Sequence, residues 1–322
     1  SIVQAIHPGS PSSQPSTHEP HQRRSPLRPP LSMGTPVVDV ADPGLFGPAS
    51  ATWLVNGDAT AIVGGIRALL LQALHPSAMA TVDRLSDYRR NTWARLLRTA
   101  EYIGMTCFGT TDEAHRTAAH VRLIHERLGI DDIGELLWVH AALVDSVADA
   151  YLRTHPGTTD EFADAYIAEQ VDAAELVAIP REVVFSSMGE LAAYIENLRP
   201  HLAVTSPAMT AMRSLVLPYM PWPIRWLTPA MPMWKFLAGT SFMCLPLWVQ
   251  AQYETNLHHL PKSAQRWLRS LMRGDDDYRN RRATRRIRLI RRVMMSMPSL
   301  VRIGPHVTAA YARLGMRAKD HH

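Results

Sequence analysis

The chain has 322 residues but only two cysteines, Cys107 and Cys244, and neither belongs to a C-x-x-C pair. Such scarcity excludes a disulfide-stapled fold, and the missing pairs exclude a cysteine-built zinc or iron–sulfur site. No apolar run reaches the roughly 18 residues that a membrane-crossing helix needs. Glycine-rich phosphate loops, a G-x-S-x-G elbow and an H-E-x-x-H pair are also missing, which removes the nucleotide-binding, serine-hydrolase and zincin classes. Phenylalanine is scarce, with 6 residues beside 15 Met and 8 Trp. Methionine suits irregular cavities and greasy ligands, although an ordinary Met-filled core would use the same residues.

Charge is present in both signs, 34 basic against 29 acidic residues, for a formal +5. The excess is uneven, because eight arginines fall within residues 279–292. Such a run suits phosphates, anionic lipid or the carboxylates of a cofactor. No helix-turn-helix, finger or RNA-binding signature accompanies it, so a nucleic-acid partner is not expected. In the opposite sense, no acid occurs from Ala59 to Val82.

Residues 1–40 are rich in Pro, Ser, His and Arg, without apolar periodicity. Arg23 and Arg24 are followed by Pro-rich polar residues instead of an apolar core, so the segment reads as a flexible or extended arm and not as an export signal. Residues 41–316 then read as a single large helical domain, and residues 317–322 as a tail whose His321 and His322 are left out of the site.

The fold class expected is all-α. Four S/T/D-x-x-E capping boxes, at Thr110, Asp132, Thr158 and Ser187, mark helix starts, and strand-like alternation is nearly absent. Asp58 is placed to cap a helix through Leu69, Leu70, Ala73 and Leu74 that is apolar nearly all round. Within it, Gly64 and Gly65 allow a neighbour to approach closely, and Pro76 should kink the helix just after His75. Ser206–Pro207 reads as a helix start with Pro at its first position. Residues 218–246, interrupted by six prolines and rich in Trp and Met, read as short helices and turns forming a lid or channel wall, with a membrane-facing surface or plain core as alternatives. Cationic helices should follow at residues 263–271 and 284–295.

Residues 92–147 carry the candidate chemistry: three helices broken at Gly109 and Gly129. His125 and His140 each sit in an apolar setting, and the short turn between their helices predicts antiparallel neighbours whose histidines border one pocket. Val121, Ile124 and Leu128 are expected on the buried side of His125, with Arg122 and Arg127 outward or toward an anionic partner. A buried imidazole must satisfy its nitrogens through hydrogen bonds or a metal. Haem iron needs only one protein ligand, with polar groups opposite it to orient a second. Arg95 and Thr99, four apart on one helix face, suit that role. Each residue also has an ordinary structural explanation: a satisfied core histidine, a salt-bridging arginine, a threonine bonded to its own backbone. Non-haem iron would need two histidines and a carboxylate together; His115, His120 and His125 are spaced by five, which rotates them apart.

Four ordered blocks carry a family likeness: GGIRALLLQALHPSAMATV, RLLRTAEYIGMTCFGT, HVRLIHERLG and LLWVHAAL. Together they resemble the bacterial and fungal family that includes the latex-clearing protein (rubber oxygenase) and the oxygenase of mycophenolic-acid biosynthesis. The resemblance implies an all-helical, globin-reminiscent fold holding haem b, and cleavage of carbon–carbon double bonds in isoprenoid chains with dioxygen. It implies His125 as the iron ligand, Arg95 and Thr99 on the distal side as catalytic and haem-contacting residues, and His140 as a further haem-pocket residue. His75 takes a structural or second-shell place. The rubber oxygenase's carboxylate, on the helix before the Arg/Thr pair, finds no counterpart between Ala59 and Val82; Asp83 and Asp87 follow near the helix end.

The expected function is therefore that of a haem b-dependent oxygenase or oxidase acting with dioxygen on a small lipophilic, isoprenoid-like substrate. A cytoplasmic location is expected, with membrane association as an option. A non-catalytic haem or lipid binder and a peripheral-membrane interaction protein are the competing classes.

Overall fold

The computed structural model describes residues 41–85, 92–298 and 302–316, and for Val82, Arg84, Leu85 and residues 92–95 the backbone alone. The N-terminal arm, Asp87 and the C-terminal tail lie outside the described residues. Within them the chain is all-α, one helical domain with no strand.

Ala51–Gly57 (α1) and Ala61–Gln72 (α2) meet at a bend of 90°. Pro76–Leu85 (α3) follows, then Thr92–Phe108 (α4), Thr111–Leu128 (α5), Ile133–Thr154 (α6) and Asp160–Leu176 (α7). Met188–Leu198 (α8), Ser206–Val216 (α9), Trp222–Leu227 (α10) and Ala230–Met243 (α11) come next. Leu247–Thr255 (α12), Lys262–Leu271 (α13), Asp276–Met295 (α14) and Pro305–Arg313 (α15) complete the order.

The centre is the pair α2–α6. Ile66, Leu70, Leu71 and Val63 of α2 are buried with Trp138 and Ala142 of α6 and with Phe242 of α11. Gly64 makes the close approach feasible, since a Cβ there would lie 2.8 Å from Val147 Cα and 2.9 Å from the Ser146 oxygen. Gly65 faces open space instead. One cation is sealed into this seam. Arg67 donates from Nη1 to Asp145 Oδ2 and Ser146 Oγ, each at 2.6 Å, and from Nε to the Cys244 carbonyl at 2.8 Å. A buried guanidinium is tolerable only when paired and bonded in this way.

Local signals set most helix ends. Thr110 and Glu113 form the full capping box of α5, and Gly129, at φ 64°, closes it. Asp132 and Ser187 cap α6 and α8 by accepting from Glu135 N and Glu190 N. Other expectations shift. Thr159, and not Thr158, caps α7; Thr205 caps α9, leaving Pro207 at its second position. Asp58 does not cap α2. Its Oδ1 takes the amide and hydroxyl of Thr60, a local turn that makes the α1–α2 elbow. His75 lies between two separate helices, so Pro76 begins α3 instead of kinking α2. Its Nδ1 accepts from the Ala78 amide at 3.4 Å, as a cap does. The last cationic helix is longer than residues 284–295, because Asp275 caps it a full two turns earlier.

The Pro-rich segment divides in two. Pro232 falls in the first turn of α11, where a missing amide costs nothing, and Met231, Trp234 and Phe242 then enter the core. By contrast, every residue of 221–229, including all of α10, is exposed. Among the described residues no single helix is long and apolar enough to cross a membrane. The bent pair α1 and α2 meets that test only jointly, and most of its apolar side chains lie in the core.

Candidate functional site

The α4–α5 hairpin positions the first candidates. Residues Ala114 and Ala118 of α5 are fully buried, and adding four and then three more places Arg122 and His125 on the same stripe. Among the described residues Arg122 meets no carboxylate. Its Nη1 donates to the Leu176 carbonyl at 2.6 Å, at the negative end of α7. One turn further, His125 extends past the covering helices and is half-buried. Its ring makes no hydrogen bond among the described residues, and burial alone pushes its pKa below the usual histidine value. Leu123, Ile124 and Leu128 around it are exposed, at 42%, 38% and 38%, so the expected burial of Ile124 and Leu128 is corrected. The result is a half-buried imidazole without a hydrogen bond among the described residues, on a helix end whose aliphatic residues are exposed.

Because α4 and α5 run antiparallel, Arg95 lies ~21 Å before Gly109 and His125 ~24 Å after it. Both therefore sit at the open end of the hairpin. Arg95 is placed by its backbone only, its side chain lying outside the described residues. Thr99, one turn on, is half-buried.

His140 occupies a different environment. It is buried on α6, its ring stacks on Phe185 with centroids 5.8 Å apart, and its Nε2 is sealed from solvent with no hydrogen-bond partner. Burial drives its pKa down to about 4, slightly opposed by the main chain of Gln170. The two imidazoles make no contact. The expected α5–α6 pairing is not formed, because α6 spends its inner face on α2 while α5 lies on α4 and touches α7. Gly64 and the Arg67–Asp145 bond hold α6 where it is.

Arg67, Asp145 and Asp149 were not singled out from the sequence. The available signal was a lone arginine in an otherwise apolar helix and two aspartates four apart on α6. The carboxylates are committed: Asp145 to Arg67, and Asp149 to Arg153 at 2.8 Å. Both cysteines are buried, free thiols with pKa values pushed up to about 12, and serve as core. Among the described residues no three His, Cys, Asp or Glu side chains form a set that could hold a bare metal ion.

Residues 53–274 match the sequence model of a catalytic domain described as "ER-bound oxygenase mpaB/B'/Rubber oxygenase". The chain belongs to that family. The match runs from Trp53 in α1 to Gly274, just before α14, and so contains His125, His140, Arg95 and Thr99 but not the arginine run or α15. No curated protein and no solved structure matches the chain.

Proposed function

We propose that the chain is a haem b-dependent oxygenase or oxidase that acts with dioxygen on a small lipophilic, isoprenoid-like substrate. Membership of the oxygenase family supports the reaction class. The observation that carries the cofactor is the half-buried imidazole of His125, which has no hydrogen bond among the described residues. A haem needs one free imidazole nitrogen, and His125 offers it. His140 fits the ligand role less well, since its free nitrogen is sealed.

In this reading His125 would hold the iron, with Leu128 one turn on along the same helix face. Arg95 and Thr99 orient dioxygen, and His140 with Phe185 braces the wall behind. Bound haem supplies the dioxygen-activating chemistry. Asp145 and Asp149, tied up by arginines, are not the proton-accepting base, and α2 offers no acid.

A fresh preparation, supplemented with haem, should show a Soret band that His125→Ala abolishes and His140→Leu retains. No band in the parent chain rejects the reading. Dioxygen consumption with short isoprenoids then separates an oxygenase from a haem binder without turnover.

Exposure of α10 favours a peripheral membrane contact for substrate entry. Trp222 and Trp226 are 67% and 70% exposed, and no acid occurs between Asn197 and Tyr253. Interfacial tryptophans with flanking cations suit an anionic bilayer surface. Vesicles of phosphatidylserine and phosphatidylcholine should retain the chain, and Trp222→Ser with Trp226→Ser should release it. Unchanged retention in the double variant would reject this contact.

A further inference from the structure

Beyond the family-matched span, α14 and α15 close over the α1–α2 elbow and bound a cavity of about 330 Å³. That volume is at the lower end of small-molecule sites, about 300–1,000 Å³. His155 on its wall follows His140 by fifteen residues, ~22 Å along α6, and none of His125, His140, Arg95 or Thr99 lines it.

The charges on its wall do not cancel. Asp58 is buried and fully engaged. Its Oδ1 accepts from Thr60 N at 2.8 Å and Thr60 Oγ1 at 2.7 Å, and its Oδ2 accepts from Arg291 Nε at 2.9 Å and faces His155 Nε2 at 3.6 Å. Arg291 is thereby neutralised, and Asp58 has nothing left for a second cation. The second cation is Arg302. Its sole polar contact among the described residues runs from Nη1 to Met295 Sδ at 3.7 Å, and its Nε is buried without an acceptor. A guanidinium lining a part-enclosed cavity with no oxygen partner is costly, and a planar carboxylate is the group that its donor fork matches.

Much of the remaining wall is aromatic, and the buried Trp53 Nε1 on it has no hydrogen-bond partner among the described residues. Tyr151 and His155 stack with centroids 3.9 Å apart and planes at 13°, and Trp53 and Val307 also line the space. We propose that this cavity is a binding site for a small aromatic monocarboxylate, its carboxylate held by Arg302 and its ring between the Tyr151–His155 pair and Trp53. One uncompensated cation sets the charge of the ligand at minus one, and the volume sets its size. Arg291, Arg302 and Val307 lie after residue 274, so the carboxylate end of the site is supplied from outside the matched span and its aromatic wall of Trp53, Tyr151 and His155 from within it.

The test is titration calorimetry of the full chain with benzoate and with its neutral isostere benzamide. Benzoate should bind saturably, about tenfold or more tighter than benzamide, the ratio one charge-assisted contact supports. Arg302→Gln should erase that preference and Arg302→Lys should restore part of it. Val307→Trp, which fills the cavity while keeping Arg302, should abolish binding of both compounds. Absence of benzoate binding, equal affinity for the two compounds, or benzoate binding unchanged in Arg302→Gln and Val307→Trp would each overturn the proposal. A missing Soret band would leave it untouched.

Discussion

Arg67 of α2 and Asp145 of α6 meet at 2.6 Å in the interior, with the arginine side chain only 4% exposed. Their bond joins the two helices that share the largest contact in the fold. Arg67→Met leaves Asp145 and Asp149 facing an apolar replacement, and should lower unfolding free energy by about 3 kcal/mol, the low end for breaking a buried pair because the aspartates keep some water access. Asp145→Asn, which preserves a hydrogen-bond acceptor, should cost less. Urea denaturation followed by circular dichroism measures both, and equal stability of Arg67→Met and parent would contradict the assignment.

Adjacent glycines should respond in opposite senses. Gly64→Ala drives a methyl into the backbone of α6 and should destabilise by about 1–3 kcal/mol, as overpacking does. Gly65→Ala meets open space in a helix interior and should stabilise by about 0.5–1 kcal/mol. Melting temperatures of the two single variants make the comparison.

His140 predicts an acid-side instability. Its folded pKa of about 4 lies below the ordinary 6.5, so between these values the unfolded chain binds more protons than the folded one. Stability is therefore fully present above pH 6.5 and falls as pH drops toward 4, by on the order of 3 kcal/mol for this group. His140→Leu should flatten that part of the stability–pH profile. An unchanged slope would mean that other groups govern it.

For the proposed cofactor, removal and restoration provide the check. Stripping haem from the loaded chain and adding it back should restore the Soret band in the parent and in His140→Leu, but not in His125→Ala. His125→Gly should recover the band when imidazole is added, because the half-buried position leaves the small ligand a route in. Failure of imidazole rescue would point away from His125.

What could be read from the sequence follows the range of the interactions involved. Caps at Thr110, Asp132 and Ser187 were legible, since each depends on residues within one turn. Thr158 and Thr159 were confused because both threonines precede a run able to start a helix, and only the amide of Phe162 decides between them. That α6 pairs with α2 instead of α5 was not legible, because it is decided by Gly64 against Val147, residues more than eighty apart in the chain. His125 and His140 looked alike in sequence. Their difference, one accessible and one sealed under Phe185, depends on which neighbouring helices extend far enough to cover them.

The family match stops at Gly274, but the fold does not. Arg291 in α14 holds the buried carboxylate of Asp58, and Arg313 in α15 donates to the carbonyls of Asp42 and Phe108, each at 2.9 Å. These arginines act as clasps from α14 and α15 to the segment before α1, the α1–α2 elbow and the end of α4. A recombinant fragment cut at the homology boundary would strand Asp58 and open the hydrophobic cluster of Trp53, Phe108 and Ala310 to water. For expression work, the boundary that matters is mechanical, and it lies beyond Arg313.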